Sequence, residues 1–143
     1  MATERPFQSI PVPDRDTIPF WEATKRHELV IQRCSNCGQE RFPPAPICWR
    51  CRSWDFEWVQ KDGLGTVYSW VVVAHPIPPA IEPLVPYVVA LVELEPMVKL
   101  PTRLVDVEPD EVEAGMEVEV TFDDLEGGMS LPLFRPRTTE QDS

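Results

Sequence analysis

Residues 34–52 read CSNCGQERFPPAPICWRCR, and this stretch decides the fold. It holds two C-x-x-C pairs, Cys34 with Cys37 and Cys48 with Cys51. A tight C-x-x-C turn aims two thiolates at one ion and brings backbone N–H groups up to the sulfurs. Two such turns complete a tetrahedron of sulfurs about 2.3 Å from the ion. Four thiolates leave no open position for water or substrate. The site is therefore structural, and metal binding contributes directly to folding. All four cysteines of the chain are used, so no thiol nucleophile remains. A single redox C-x-x-C would not explain the second pair.

Zinc and iron both accept a tetrahedral set of thiolates. Rubredoxin-like knuckles read C-x-x-C-G in both halves. Here Gly38 follows the first pair, but Arg52 follows the second. Without that glycine the close N–H approach to sulfur is harder, which favours zinc over iron.

Outward from the cysteines, Pro43-Pro44-Ala45-Pro46 is a rigid loop, because proline cannot continue a helix or a ladder. Upstream, Leu29-Val30-Ile31 is β-rich. Thr17 to His27 suits a short helix, with Asp16 or Thr17 as cap and Pro19 in the first turn. Residues 1–16 are aperiodic and read as an extended arm. Downstream, Phe56 and Trp58 begin a strand that ends at the turn signal Asp62-Gly63-Leu64-Gly65. Thr66–Ala74 and Tyr87–Glu95 are β-branched runs and predict strands. Between them, His75–Pro86 is a proline-rich irregular loop. Val98–Asp106 predicts a third such strand, with Pro101 marking an edge or a bulge. Pro109–Glu113 is one helical turn at most. Gly115-Met116 turns the chain into Glu117–Phe122, whose alternation predicts a half-buried strand. Asp123–Gly128 is a turn and Leu131–Phe134 a last strand. Little helix and about five strands predict a small antiparallel barrel or sandwich. The boundary with the metal module falls near residues 54–62.

The net charge of −11 is unevenly spread. Residues 25–61 carry seven basic and four acidic side chains, whereas residues 62–134 carry two basic and fourteen acidic. The C-terminal half therefore repels polyanions. The middle can meet a compact anion or an acidic partner face. Its bland alternative is a solvated face whose stems cover apolar surface. No apolar run approaches the roughly 20 residues of a membrane helix. No signal-peptide core is present at the start. A cytoplasmic chain is expected, where paired cysteines hold metal more often than disulfides.

Few other residues carry chemistry. His27 is expected on the surface near the helix end, and His75 sits at a strand exit next to Pro76. Two scattered histidines make no Ser/His/Asp arrangement. Asp123-Asp124 lies at a turn and reads as solvated. Trp49, Trp54 and Trp58 gather around the metal module with Phe42 and Phe56. They form either a mini-core under the ribbon or an exposed patch for a partner, where Trp and Arg are typical anchors. No autonomous active site is expected.

With these residues in hand, the chain resembles the DUF35 family of small proteins associated with acyl-CoA metabolism. The resemblance rests on FWEATKRHELVIQRCSNCGQERFPP, CWRC, GTVYSWVVV, PYVVALVELE, TRLVDVEPDEVEAGMEVEVTF and LPLFRP, in that order, over residues 18–136. It implies a mainly β fold. An N-terminal arm and helix would span 1–28, a rubredoxin-like zinc ribbon 29–58, an OB-fold barrel 59–137 and a flexible tail 138–143. It also implies a non-catalytic, zinc-binding subunit. Such a subunit pairs as a hetero-oligomer with a thiolase-superfamily enzyme, either a thiolase or a retro-aldolase. The partner makes or cleaves C–C bonds in acyl-CoA thioesters during degradation of aromatic or steroid-type compounds. Zinc would be structural, and a CoA thioester would be a ligand of the complex. Arg41, Arg50 and Arg52 are candidates for contacts with CoA phosphates or with acidic residues of the partner. One departure stands at Leu94–Val98, where relatives carry a Gly-containing turn.

Two other readings compete. Ribbons and OB folds both bind nucleic acid, but that needs a basic, aromatic-studded barrel face, which the acidic half opposes. A rubredoxin-like electron carrier needs iron.

Overall fold

The computed structural model describes residues 11–75, 85–95 and 97–137. The first ten residues of the expected arm, residues 76–84 of the proline-rich loop, Pro96 and the tail 138–143 lie outside the described residues. The one α-helix among the described residues, α1, spans Ile18–Lys25. Its start differs from expectation. Thr17 is the N-cap but makes no side-chain cap bond. Instead Asp14 Oδ1 accepts the N–H of Asp16 and of Thr17 at 3.0 Å each, closing the turn before the helix. Pro19 suits the first turn because its missing N–H has no helical acceptor there anyway.

Three strands follow: β1 (Leu29–Cys34), β2 (Glu40–Arg41) and β3 (Phe56–Lys61). They form an antiparallel sheet in the order β2-β1-β3. The pairing runs from Leu29 opposite Lys61 to Cys34 opposite Phe56. β3 is thus a ribbon strand throughout. A division at residue 58 falls inside it, and the chain leaves the ribbon at Asp62-Gly63.

The remaining strands are β4 (Leu64–Val73), β5 (Tyr87–Glu95), β6 (Val98–Leu104), β7 (Glu117–Asp124) and β8 (Ser130–Pro136). They close into a barrel in the order β4-β5-β6-β8-β7. β4 serves two neighbours. Its first residues pair with β7, and its length from Thr66 onward pairs with β5 across a bulge between Val67 and Ser69. Gly65 permits the close approach, since a Cβ there would stand 2.9 Å from the Glu93 carbonyl oxygen. The sole parallel contact among the described strands, β6 to β8, is the pair Leu104 and Phe134. Pro101 lies upstream of that contact and is exposed, in keeping with an open edge. In the β5–β6 hairpin Met97 takes φ +73°, a left-handed conformation that usually falls to glycine.

Alternation along β5 sends Val88, Ala90 and Val92 inward, where they meet Val67, Leu100, Val118 and Phe134. Phe20 from α1 and Leu29 from β1 belong to the same buried cluster. Each full burial of such a side chain is worth about 1.5–3 kcal/mol. The helix therefore joins ribbon and barrel through a common core. Lys61, at the end of β3, adds a polar link: its Nζ donates to Glu40 in the ribbon and Glu95 in the barrel, both at 2.9 Å. No helix among the described residues is long and apolar enough to cross a membrane.

Candidate metal centre

The four cysteines converge as their spacing predicts. All four sulfurs lie within 4.8 Å of one another. Cys34 and Cys51 sulfurs are 3.5 Å apart, and Cys37 and Cys48 sulfurs 3.7 Å. A tetrahedron of thiolates about 2.3 Å from an ion has edges of about 3.8 Å, whereas a disulfide needs about 2.05 Å. The sulfurs thus fit a metal and not a disulfide.

The two knuckles have the same backbone. Gly38 N–H donates to the Cys34 carbonyl and Arg52 N–H to the Cys48 carbonyl, both at 2.9 Å. Asn36 and Cys37 N–H groups reach Cys34 Sγ at 3.3 and 3.4 Å, and Arg50 N–H reaches Cys48 Sγ at 3.4 Å. Gly38 has φ +81° and Arg52 has φ +66°. Arg52 therefore adopts the conformation the missing glycine would have taken. The expected difficulty of N–H approach does not arise, and the absent glycine says nothing about zinc against iron. Left-handed backbone costs a non-glycine residue about 1–2 kcal/mol. Structural zinc contributes about 10–16 kcal/mol in small modules, so the strain is easily carried.

Charge is unequally spread over the sulfurs. The Cys37 N–H first, then the Asn36 N–H and the neighbouring thiols, outweigh burial and lower the Cys34 thiol to about 6. The Cys51 and Arg50 N–H groups likewise lower Cys48. The Gln39 N–H pulls Cys37 down, but burial and the three facing sulfurs prevail and push it up to about 11. The first cysteine of each knuckle is thus shifted toward the thiolate by its own turn. The set as a whole needs a cation to ionise fully.

Behind the knuckles lies a buried polar clamp. Arg41 Nε donates to Gln32 Oε1 at 2.8 Å and Nη2 to the Ala45 carbonyl at 2.7 Å. The Ala45 N–H donates to the same Gln32 oxygen at 2.8 Å. The guanidinium also lies over the Phe56 ring, 5.2 Å from its centroid. Gln32 pairs with Arg41 on one side and Trp58 on the other, so one glutamine ties all three ribbon strands to the proline loop. Arg41 is only 3% exposed. Its assignment to CoA phosphates or to a partner is therefore corrected: it faces inward, with Nε and Nη2 held by Gln32 and the loop and Nη1 buried without a hydrogen-bond partner among the described residues.

Comparison with known proteins identifies this architecture. Residues 21–57 match the family described as the ChsH2 rubredoxin-like zinc ribbon domain. Residues 58–123 match that described as the ChsH2 C-terminal OB-fold domain. A solved structure described as "Ltp2-ChsH2(DUF35) aldolase" is 45% identical with a TM-score of 0.79, covering 88% of this chain and 98% of that one. The chain belongs to the DUF35 family. Four clustered cysteines in a zinc-ribbon domain support a structural zinc. Two longer relatives share part of their length with this DUF35 chain. A probable enoyl-CoA hydratase alpha subunit of Thermomonospora curvata is 44% identical over 93% of this chain and 41% of its own. The 3-oxo-4,17-pregnadiene-20-carboxyl-CoA hydratase alpha subunit of Mycobacterium tuberculosis is 45% identical over 59% of this chain and 26% of its own. This chain therefore spans less than half the length of either hydratase subunit.

The other candidate residues of the DUF35 chain divide between surface and interior. Arg50 and Arg52 are exposed; Arg50 Nη1 reaches Gln39 Oε1 at 3.4 Å. The tryptophans do not form one mini-core. Trp58 is half-buried against Phe56, but Trp49 is 55% and Trp54 67% exposed. His27 is on the surface at φ +60°, stacked on Phe122, with Nε2 2.8 Å from Asp124. Asp124 is therefore engaged rather than simply solvated. His75 is exposed. Two contributors went unnoticed in the sequence. Asn36 Nδ2 donates to Cys51 Sγ at 3.4 Å, and its place between the first two cysteines was the signal. Gln32 was the other, a lone amide inside the apolar run LVIQRC.

Proposed function

We propose that this chain is a non-catalytic subunit of an acyl-CoA enzyme complex. It holds a structural zinc and docks on a thiolase-superfamily partner in the cytoplasm. That partner supplies the catalytic residues for aldol-type C–C cleavage of a CoA thioester with a steroid-like side chain. The observation that carries this reading is the 98% coverage of a DUF35 chain from a structure described as an aldolase. The hydratase subunits match over 41% and 26% of their lengths. A hydration activity would then reside in parts of those subunits that have no counterpart here. The metal site agrees, because four thiolates saturate the ion and leave no position for substrate. Arg50 and Arg52 remain as cationic surface near the ribbon for the partner or for CoA.

The test is co-expression with the thiolase-like protein encoded nearest to this chain. The complex should co-purify, and C–C cleavage of an acyl-CoA substrate should be lost or fall sharply when this chain is omitted. No association with any thiolase-superfamily protein would refute the proposal.

A further inference from the structure

The chain has more carboxylates than cations, and most of its described cations have found one. Lys25, Arg26, Arg33, Lys61, Lys99, Arg135 and Arg137 are all within ion-pair distance of a glutamate. Arg15 and Arg52 make no ion pair or side-chain hydrogen bond among the described residues, and Arg50 reaches only the neutral Gln39. Arg52 lies two residues before the exposed Trp54, whereas Arg50 lines a separate cavity with Glu40 and Glu95. Arg50 and Arg52 lie between Trp49 and Trp54 along the chain. Arg15 and Asp16 line a cleft of about 280 Å³ together with Pro19, Pro46, Trp54, Phe56 and Trp58. Neither Trp49 nor Trp54 stacks on a ring or carries a cation among the described residues.

We infer that this cleft and the second knuckle beside it form the face that docks on the catalytic partner. The partner surface it fits has an apolar centre for Trp54 and Trp49 and a carboxylate rim for Arg15 and Arg52. This rests on the proposed function above and specifies its interface. Charge complementarity selects the occupant. In a chain of net charge −11, arginines that make no ion pair among the described residues, beside exposed indoles, are matched by acid from outside. Tryptophan and arginine are also the residues that dominate interface energetics. The face is preorganised, so little ordering is lost on docking. Trp49 sits inside the second metal knuckle. Pro46 follows Ala45, whose backbone is clamped by Gln32 and Arg41.

The test measures affinity of the full chain for its thiolase-superfamily partner by calorimetry. Trp54→Ala should weaken binding about 30-fold or more, with an unchanged melting temperature for the isolated chain. Arg52→Gly should weaken binding about tenfold and flatten its salt dependence, although it relaxes the backbone. Arg103→Ala should change affinity less than twofold, since that arginine, without an ion pair among the described residues, lies on the barrel strand β6 and not on the ribbon. Wild-type affinity in both Trp54→Ala and Arg52→Gly overturns the assignment while leaving the proposed function standing. A wild-type chain that binds no such partner overturns both. Three further results would place another occupant here and overturn it. A lower melting temperature for isolated Trp54→Ala means the chain fills its own cleft. A wild-type dimer that Trp54→Ala dissociates means a second copy. An intact complex in which Arg52→Gly raises only the KM for the CoA thioester means a CoA phosphate.

Discussion

Exchanging the residues that close the two knuckles should move stability in opposite directions. Gly38 and Arg52 hold equivalent positions, with φ +81° and +66°. Each donates its N–H to the carbonyl four residues back at 2.9 Å. Arg52→Gly relieves left-handed strain of about 1–2 kcal/mol and adds unfolded-state entropy costing about 0.5–1 kcal/mol. The net gain is about 0.5–1 kcal/mol. Gly38→Ala does the reverse. Nothing lies within 4 Å of a Cβ built on Gly38, so its cost is conformational and not steric. At about 3–5 °C per kcal/mol for a domain near this size, melting temperatures should rise by about 2–4 °C and fall by a similar amount. The assay is thermal unfolding followed by circular dichroism, with metal in excess so that occupancy is equal. Near-UV spectra check that both variants keep the native fold. If Arg52→Gly melts no higher than wild type and Gly38→Ala no lower, left-handed strain is not what distinguishes the knuckles.

Other consequences are as specific. Cys48→Ser should abolish stoichiometric metal binding by elemental analysis and lower the melting temperature sharply, because the ion closes the ribbon. Metal affinity, measured by chelator competition, should fall as pH drops from 7 to 5. Protons then compete for the thiolates, including Cys34 with its pKa of about 6. Lys61→Met should cost about 1–2 kcal/mol, leaving the half-buried Glu40 without its cation. Burial tends to lower the Lys61 pKa, but Glu95 and Glu40 outweigh it and the pKa is raised. That stabilisation is fully present below the unfolded value near 10.4 and is lost as pH rises through the higher folded value. The gap between Lys61→Met and wild type in urea melts should therefore close above that pH. Gly65→Ala should destabilise by about 1–3 kcal/mol through overpacking, since its Cβ would stand 2.5 Å from Val92 Cγ1. Unchanged urea midpoints would show that β4 and β5 can part at little cost.

What could be read from the sequence was whatever depends on spacing and period. Two C-x-x-C pairs can be satisfied by few arrangements, so the metal centre was legible down to its ligands. The β-branched runs of β4 and β5 and the alternation of β7 placed the barrel strands within a few residues. Pairing between distant strands was harder. Phe56–Lys61 resembles its barrel neighbours in composition, yet its partner is β1, some 25 residues upstream of it. The left-handed state of Arg52 was also invisible, because propensity argues against it and the metal overrides propensity. Thr17 takes the N-cap place without a side-chain cap bond, and Asp14 closes the turn before it through the N–H groups of Asp16 and Thr17.

Counting charges was the least reliable step, and the three arginines grouped by sequence show why. Arg41, Arg50 and Arg52 look alike in a stretch with excess positive charge. Arg41 lies on β2, opposite Gln32, and two carbonyl-type oxygens and a phenyl face hold its guanidinium in the interior. Arg50 and Arg52 lie on a knuckle whose backbone is already satisfied by sulfur and carbonyl contacts. Their side chains are left without an acidic partner. The separation follows from geometry: a strand with neighbours on one face buries a long side chain, and a tight metal turn cannot. The metal thus decides more than the fold of the ribbon. The tight turn buries Cys48 but leaves Trp49, Arg50 and Arg52 on the surface, and tryptophan and arginine are the residues that anchor partner surfaces.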